Sequence, residues 1–266
     1  MTVIIESGYV GDYPLTHARI AHSNNWITGT ASASATETGY FADGPNNSLT
    51  YERWKPSSGL GGVWQLDAGS NVTVDYCCIG AHTLGTGMSV RAQAFIGGVW
   101  TDMTPASTIT NNSPIFMIFN KRTASEFRIN IIGGSPEIGV VKFGEALQMQ
   151  RPFYAGYAPS RTNRQTVVRG NLSEGGQFLG RTKVRNVTDA SYAWRNLTAD
   201  WCDANLPDLI MGIETEPYFL AWRPSDDDGY GVDFAWTLGP PSQPPTNQGQ
   251  INFRTFGFGG KAFGYE

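Results

Sequence analysis

The residues able to do chemistry in this chain are few and scattered. Its 3 histidines, His17, His22 and His82, stand far apart, and none sits in a metal-binding or triad pattern. His82 closes an apolar run just before Leu84-Gly85-Thr86-Gly87, which suits a hydrogen-bonded structural imidazole better than a ligand. Glu214 and Glu216 would share one face of an extended segment, and paired carboxylates are the tools of glycoside hydrolysis; the same spacing describes a solvated face equally well. Asp226-Asp227-Asp228-Gly229 resembles half of a calcium loop but lacks the alternating ligands and the distal Glu, so it reads as a turn. Gly59-Leu60-Gly61-Gly62 lacks the Lys-Ser/Thr of a phosphate loop. The 3 cysteines are Cys77, Cys78 and Cys202; the adjacent pair points to opposite faces of one strand, the wrong geometry for a metal or redox site, and all read as small, reduced core residues. No catalytic residue, no metal and no cofactor is expected, and the chain reads as a non-enzyme.

Composition agrees with a binding or building role. In 266 residues only 16% are charged, against the ~25% of an average domain, while Gly stands at 32, Pro at 15 and aromatics at 12%. That is the profile of many short strands joined by tight turns. The net charge of −4 makes nucleic acid an unexpected partner. No run approaches the ~20 apolar residues of a membrane helix. Met1–Glu6 lacks the basic start of a secretory signal, so synthesis in a cytoplasm without membrane insertion is expected.

The elements follow from alternation. Val63–Gly69 and Tyr76–His82 read as two strands, as do Ile115–Phe119 and Phe127–Ile131, the last with Phe127, Ile129 and Ile131 on one face. Character changes near residue 150. Residues 1–150 are expected to form one β domain, 151–159 a linker, and 160–266 a second β domain. In the second, Thr166–Arg169 and Phe178–Val184 flank a Ser173-Glu174-Gly175-Gly176 turn. A helix is expected over about 189–205, from the recurrence of Tyr192, Leu197, Trp201 and Leu206, with Pro207 limiting it. Strands resume at Pro217–Trp222 and Gly231–Leu238, Gly239–Pro245 reads as a polyproline-like loop, and Phe256 and Phe258 share a face of a closing strand.

Charge is segregated in the second half. Residues 151–195 hold 8 Lys or Arg against 2 acidic residues, and 200–233 hold 9 Asp or Glu against 1 Arg. Two readings stay open: pairing between neighbouring strands, or a heterologous contact in which the basic patch of one subunit meets the acidic patch of the next. The interface candidates are Arg161, Arg164, Arg169, Arg181, Lys183 and Arg185 on one side and Asp226, Asp227 and Asp228 on the other.

The stretch from Tyr51-Glu52-Arg53-Trp54-Lys55-Pro56 through Asp75–His82 with Leu84-Gly85-Thr86-Gly87, and on to Ile138–Leu147, resembles discoidin-like jelly rolls in the version found in tail proteins of bacteriophages. Asn171–Arg181 with the Trp-rich segment after it, and Glu216–Pro224, are similar to phage tail proteins as well. The resemblance implies a mostly β chain: an N-terminal jelly-roll β-sandwich, then a ring-forming β-barrel or sandwich with one packed helix. It implies a virion structural protein, a distal tail or baseplate ring or hub, that assembles with itself as a hexamer and with other tail proteins. The two domains stand in the reverse of the order usual in distal tail proteins. The alternative is a carbohydrate-binding module for attachment to a host-surface glycan, since such jelly rolls bind sugars through loop aromatics. Trp54, Trp64 and Trp100 are candidate platforms, although strand aromatics pack inward. Ligand contact is expected from the loops carrying Trp54, Lys55 and Thr86.

Overall fold

The computed structural model describes residues 2–22, 26–154, 164–226, 231–237, 243–247 and 252–263. The first part of the chain runs β1 (Val3–Ile5), β2 (Arg19–Ala21), β3 (Thr30–Ala33), a 3-10 turn at Gly44–Asn46, β4 (Gly61–Gly80), β5 (Met88–Ile96), β6 (Val99–Asp102), β7 (Ser107–Ile109), β8 (Ile115–Ile132), β9 (Val140–Gly144) and β10 (Leu147–Gln148). The rest runs β11 (Arg164–Leu172), β12 (Phe178–Thr198), α1 (Ala199–Thr215), β13 (Tyr218–Ala221), β14 (Val232–Trp236), β15 (Gln243–Asn247) and β16 (Phe253–Phe263). The chain is mostly β, with one α-helix among the described residues.

The first sheet has the order β3-β4-β8-β5-β6, with β1 and β9 added on β8 and β4 and β7 on β5. Pairing is antiparallel except for β1 on β8. The segments expected as four strands are two continuous ones. β4 carries both Val63–Gly69 and Tyr76–Gly80, and β8 carries both Ile115–Phe119 and Phe127–Ile131. Their register slips between Asp67 and Val72 and again between Val74 and Tyr76. Extra residues at such slips bend a strand. Both ends of each strand therefore feed one interior: Trp64 and Leu66 share a core with Cys77 and Ile79, and Met117 and Phe119 with Phe127 and Ile129. The sheet folds over that interior as a sandwich.

The second sheet has the order β10-β2-β13-β14-β16-β12-β11, with β15 on β16. It runs from one edge to the other without closing, so it is an open sheet and not a barrel. β2 and β10, both before residue 150, belong to it: Ile20 pairs with Leu220 and Leu147. The stretches 1–150 and 160–266 thus share a sheet.

Around β13 and β14 this sheet is buried on both faces, which explains the unbroken apolar run of β13. Tyr218 and Leu220 face α1 together with Tyr192, Trp194, Phe256 and Phe258. Phe219 and Ala221, with Val232 and Phe234, face the sandwich and pack on Tyr76, Cys78, Phe116 and Val140. Phe219 stacks on Phe234 at 4.5 Å. At Gly80 a Cβ would stand 2.9 Å from Cζ of Phe219, so only glycine lets the two layers approach this closely.

The helix lies at Ala199–Thr215, not at 189–205. Residues 189–198 are strand, paired with β16 from Asp189–Lys261 to Thr198–Phe253. Tyr192 and Trp194 alternate onto the core, and their spacing to Leu197 and Trp201 mimicked a helical repeat. The true period is Cys202, Leu206, Leu209 and Ile213, all buried. Pro207 sits inside the helix on its exposed side. There the carbonyl four residues back can be met by water instead of an N–H. Glu214 and Glu216 accordingly lie at the end of a helix and not on one face of a strand.

Candidate functional site

Two surfaces collect the residues that the sequence singled out. The first is one end of the sandwich. Trp54 is fully buried, its indole N–H donating to the Ala35 carbonyl at 3.0 Å, and Trp64 is buried likewise on the Ala42 carbonyl at 2.6 Å. Trp100 is half-buried, and the Arg128 guanidinium covers its ring at 4.0 Å. None of the three is an open sugar platform.

The loops carrying Trp54-Lys55-Pro56 and Leu84-Gly85-Thr86-Gly87 nevertheless flank one shared segment. The segment around Glu137 lies between them. Trp54 and Ile138 exchange backbone hydrogen bonds at 2.9 and 2.8 Å. Thr83 N–H donates to the Glu137 carbonyl at 2.9 Å, and Glu137 N–H donates to the Thr83 hydroxyl at 2.8 Å. The Glu137 carboxylate accepts from the Tyr40 hydroxyl at 2.7 Å and from Arg53 at 2.6 Å. Lys55 pairs with Glu37 at 2.9 Å and lies 5.4 Å from the centre of the Tyr40 ring. Thr86 stands exposed at the adjoining turn.

The hydrogen bond from Tyr40, aided by Arg53, holds the Glu137 carboxyl below its ordinary range; the same bond raises Tyr40, and Glu37 raises Lys55. At neutral pH this end of the sandwich therefore presents charged donors and acceptors beside an aromatic ring. Lys55 and Thr86 were expected here. Tyr40, Arg53, Glu37 and Glu137 were not, because no local spacing links residues 84 or 97 positions apart.

The second surface is an arm. β11 and the first half of β12 form a hairpin that leaves the body of the sheet, and β11 is its edge. The turn closes through Ser173 N–H to the Gln177 carbonyl at 2.9 Å, with Gly176 at φ +78, where a side chain would be strained. Leu172, Phe178 and Leu179 are 68%, 66% and 65% exposed, and Val167, Val168 and Val184 are also open to solvent. Arg169, Arg181 and Lys183 are exposed on the same arm and form no ion pair among the described residues. Arg164 and Arg185 lie on it by register, opposite Thr188 and Val167. Arg161, Asp227 and Asp228 lie outside the described residues. Asp226 pairs with Arg223 of its own acidic block at 2.8 Å, and Asp203 and Asp189 pair with Arg254 and Lys261. None of the ion pairs in the described structure joins the arm to the acidic block.

The remaining chemistry is structural. His82 donates from Nε2 to the Ser113 carbonyl at 2.8 Å and accepts the Leu84 N–H at Nδ1, and burial lowers it to about 4. Cys77 and Cys78 face opposite cores, as alternation requires; all three thiols are free and buried, and burial pushes them up. Among the described residues no three His, Cys, Asp or Glu side chains gather as a metal would need, and no helix is long and apolar enough to cross a membrane.

No family model matches this chain, and no curated protein matches it. Solved structures do. A chitosan-binding module from a Paenibacillus sp. IK-5 chitosanase/glucanase is 18% identical with a TM-score of 0.40, over 47% of this chain and 98% of that one. The family 32 CBM from C. perfringens NanJ, solved with galactose, is 20% identical with a TM-score of 0.40, over 45% and 97%. SpGH29 is 16% identical with a TM-score of 0.38, over 46% of this chain and 28% of that one. The matched part of this chain therefore spans 28% of SpGH29 and nearly all of the two small binding modules. Each likeness covers under half of this chain and brings no residue role to it.

Proposed function

We propose that this chain is a non-catalytic carbohydrate-binding protein whose sandwich end is the recognition surface. The convergence on Glu137 carries the reading. Arg53, Lys55 and the hydroxyls of Thr83 and Thr86 offer donors, Glu37 and Glu137 offer acceptors, and Tyr40 adds a ring. A sugar is an array of hydroxyls that both donate and accept, with apolar C–H faces, and such a mixed polar and aromatic surface meets it. The named ligands of the neighbouring structures, chitosan and galactose, are the first candidates to try. A glycan array probed with the full chain tests the reading, and silence across neutral and charged glycans would refute it.

A second reading is architectural: a virion structural protein of the phage-tail type, a distal tail or baseplate ring or hub component, assembling as a ring with tail partners. The exposed arm favours it. Monomers seldom leave large side chains open in a contiguous patch unless something covers them. Both roles can coexist in one particle, where the arm anchors and the sandwich faces a host surface. Light scattering across a salt series separates them: an assembly that dissociates as salt rises supports the second reading, and a monomer at every concentration and salt counts against it.

A further inference from the structure

Two of the 8 cations in residues 151–195 stand apart from the arm. Arg151 and Arg195 line a cleft of about 740 Å³ together with Tyr154, Asn196 and Phe253. Both arginines are exposed, and neither forms an ion pair among the described residues. Among the described residues no Asp or Glu lines the cleft. Asp189 and Asp203 are held by Lys261 and Arg254, and Asp200 opens α1; none of the three lies on its wall.

Local structure holds both guanidiniums. The register of β12 on β16 slips between Trp194 and Leu197, and Asn196 sits there at φ +59. Asn tolerates that left-handed backbone better than most residues, and such a bulge re-aims the side chains on it. The Arg195 guanidinium lies 3.9 Å from the centre of the Tyr154 ring. Stacking occupies its face and leaves its N–H edges for a ligand. Arg151 donates from Nε to the Asn196 carbonyl at 3.4 Å and keeps its two terminal nitrogens. Tyr154 is fixed in turn, its N–H donating to the Ala193 carbonyl at 3.0 Å, and Phe153 stacks on Trp194 at 4.6 Å. Side chains already held lose less freedom when a ligand arrives.

Two guanidiniums with no carboxylate on the wall select an anion. Each matches a pair of oxygens on a phosphate or a carboxylate. A carboxylate engages one fork and leaves the second cation unmatched. A phosphomonoester is close to a dianion at neutral pH and offers three oxygens. The cleft is far larger than a phosphate group, and half-buried Phe253 on its wall suits the C–H face of a sugar. We propose that this cleft binds the phosphomonoester of a phosphorylated sugar, its oxygens held by Arg151 and Arg195 and its ring lying against Phe253. The site shares no residue with the Glu137 cluster and does not rest on that reading.

The test is an NMR titration of the full chain with D-glucose 6-phosphate, inorganic phosphate, D-glucuronate and D-glucose. The sugar phosphate is expected to bind in the millimolar range or tighter, inorganic phosphate and glucuronate about fivefold or more weaker, and glucose about tenfold or more weaker. Rising salt weakens the sugar phosphate. This comparison needs no variant. Arg151→Gln and Arg195→Gln each weaken the sugar phosphate about tenfold. Lys121→Met, which removes an exposed cation on β8 of the first sheet, leaves its binding unchanged. All three positions are exposed, so the circular dichroism of each variant is expected to match the wild type. No binding of the sugar phosphate at about 20 mM, equal binding of any of the other three ligands, full binding by either arginine variant, or an equal loss in Lys121→Met would overturn the proposal.

Discussion

Arg19 of β2 and Asp75 of β4 meet at 2.7 Å, both buried, and join the second sheet to the sandwich. Arg19 also donates to the Tyr9 hydroxyl, and the other Asp75 oxygen accepts the Ala146 N–H at 2.8 Å. Burial raises the Asp75 carboxyl, and Arg19 and the Ala146 N–H pull it back only in part. Desolvation wins, so the pair fixes how the layers sit more than it adds stability.

Removing one partner is therefore expected to cost far more than removing both. Asp75→Asn strands a buried guanidinium and should lose about 3–5 kcal/mol in urea unfolding. Arg19→Met with Asp75→Leu should recover most of that loss. Additive losses in the double variant would show that the pair itself is a main source of stability.

Acid should loosen the protein through His82 and His22. Burial lowers both to about 4. The unfolded chain takes up these protons near pH 6.5, so the folded state is favoured above that pH and loses the advantage as pH falls toward 4. Each histidine contributes on the order of 3 kcal/mol across this window. His82→Asn should flatten the curve of stability against pH between about 6.5 and 4; an unchanged slope would contradict the assignment.

At the sandwich end, Glu137→Gln and Tyr40→Phe should weaken glycan binding about tenfold. Both groups lie near the surface, so the urea-unfolding midpoint should stay close to that of the wild type. Equal affinity in variant and wild type would move recognition elsewhere.

Leu172 and Phe178 face each other across the arm beside its turn. Because both are exposed, replacing the pair with serine should shift stability by about 0.5 kcal/mol or less. Self-association measured by light scattering should nonetheless fall, and Arg181→Glu with Lys183→Glu should reduce it further at low salt. Association unaffected by either pair would remove the arm from any interface.

Sequence alone determined what depends on neighbours along the chain. Alternation placed Phe127, Ile129 and Ile131 in one core and set Cys77 and Cys78 on opposite faces. Turn residues gave the hairpin around Ser173–Gly176, and the rule that strand aromatics pack inward held for Trp54 and Trp64. The helix was displaced by ten residues because Tyr192 and Trp194, two apart on a strand, fall near enough to helical intervals when read with Leu197 and Trp201. Only the tertiary structure decided the rest. Pairing of Ile20 with Leu220 brings together residues 200 positions apart, and no local period signals such a partner. The same holds for Glu137 between the Trp54 and Thr83 loops. Those meetings depend on how two sheets pack through Gly80, Phe219 and Phe234, a matter of shape between distant side chains that a linear pattern does not record.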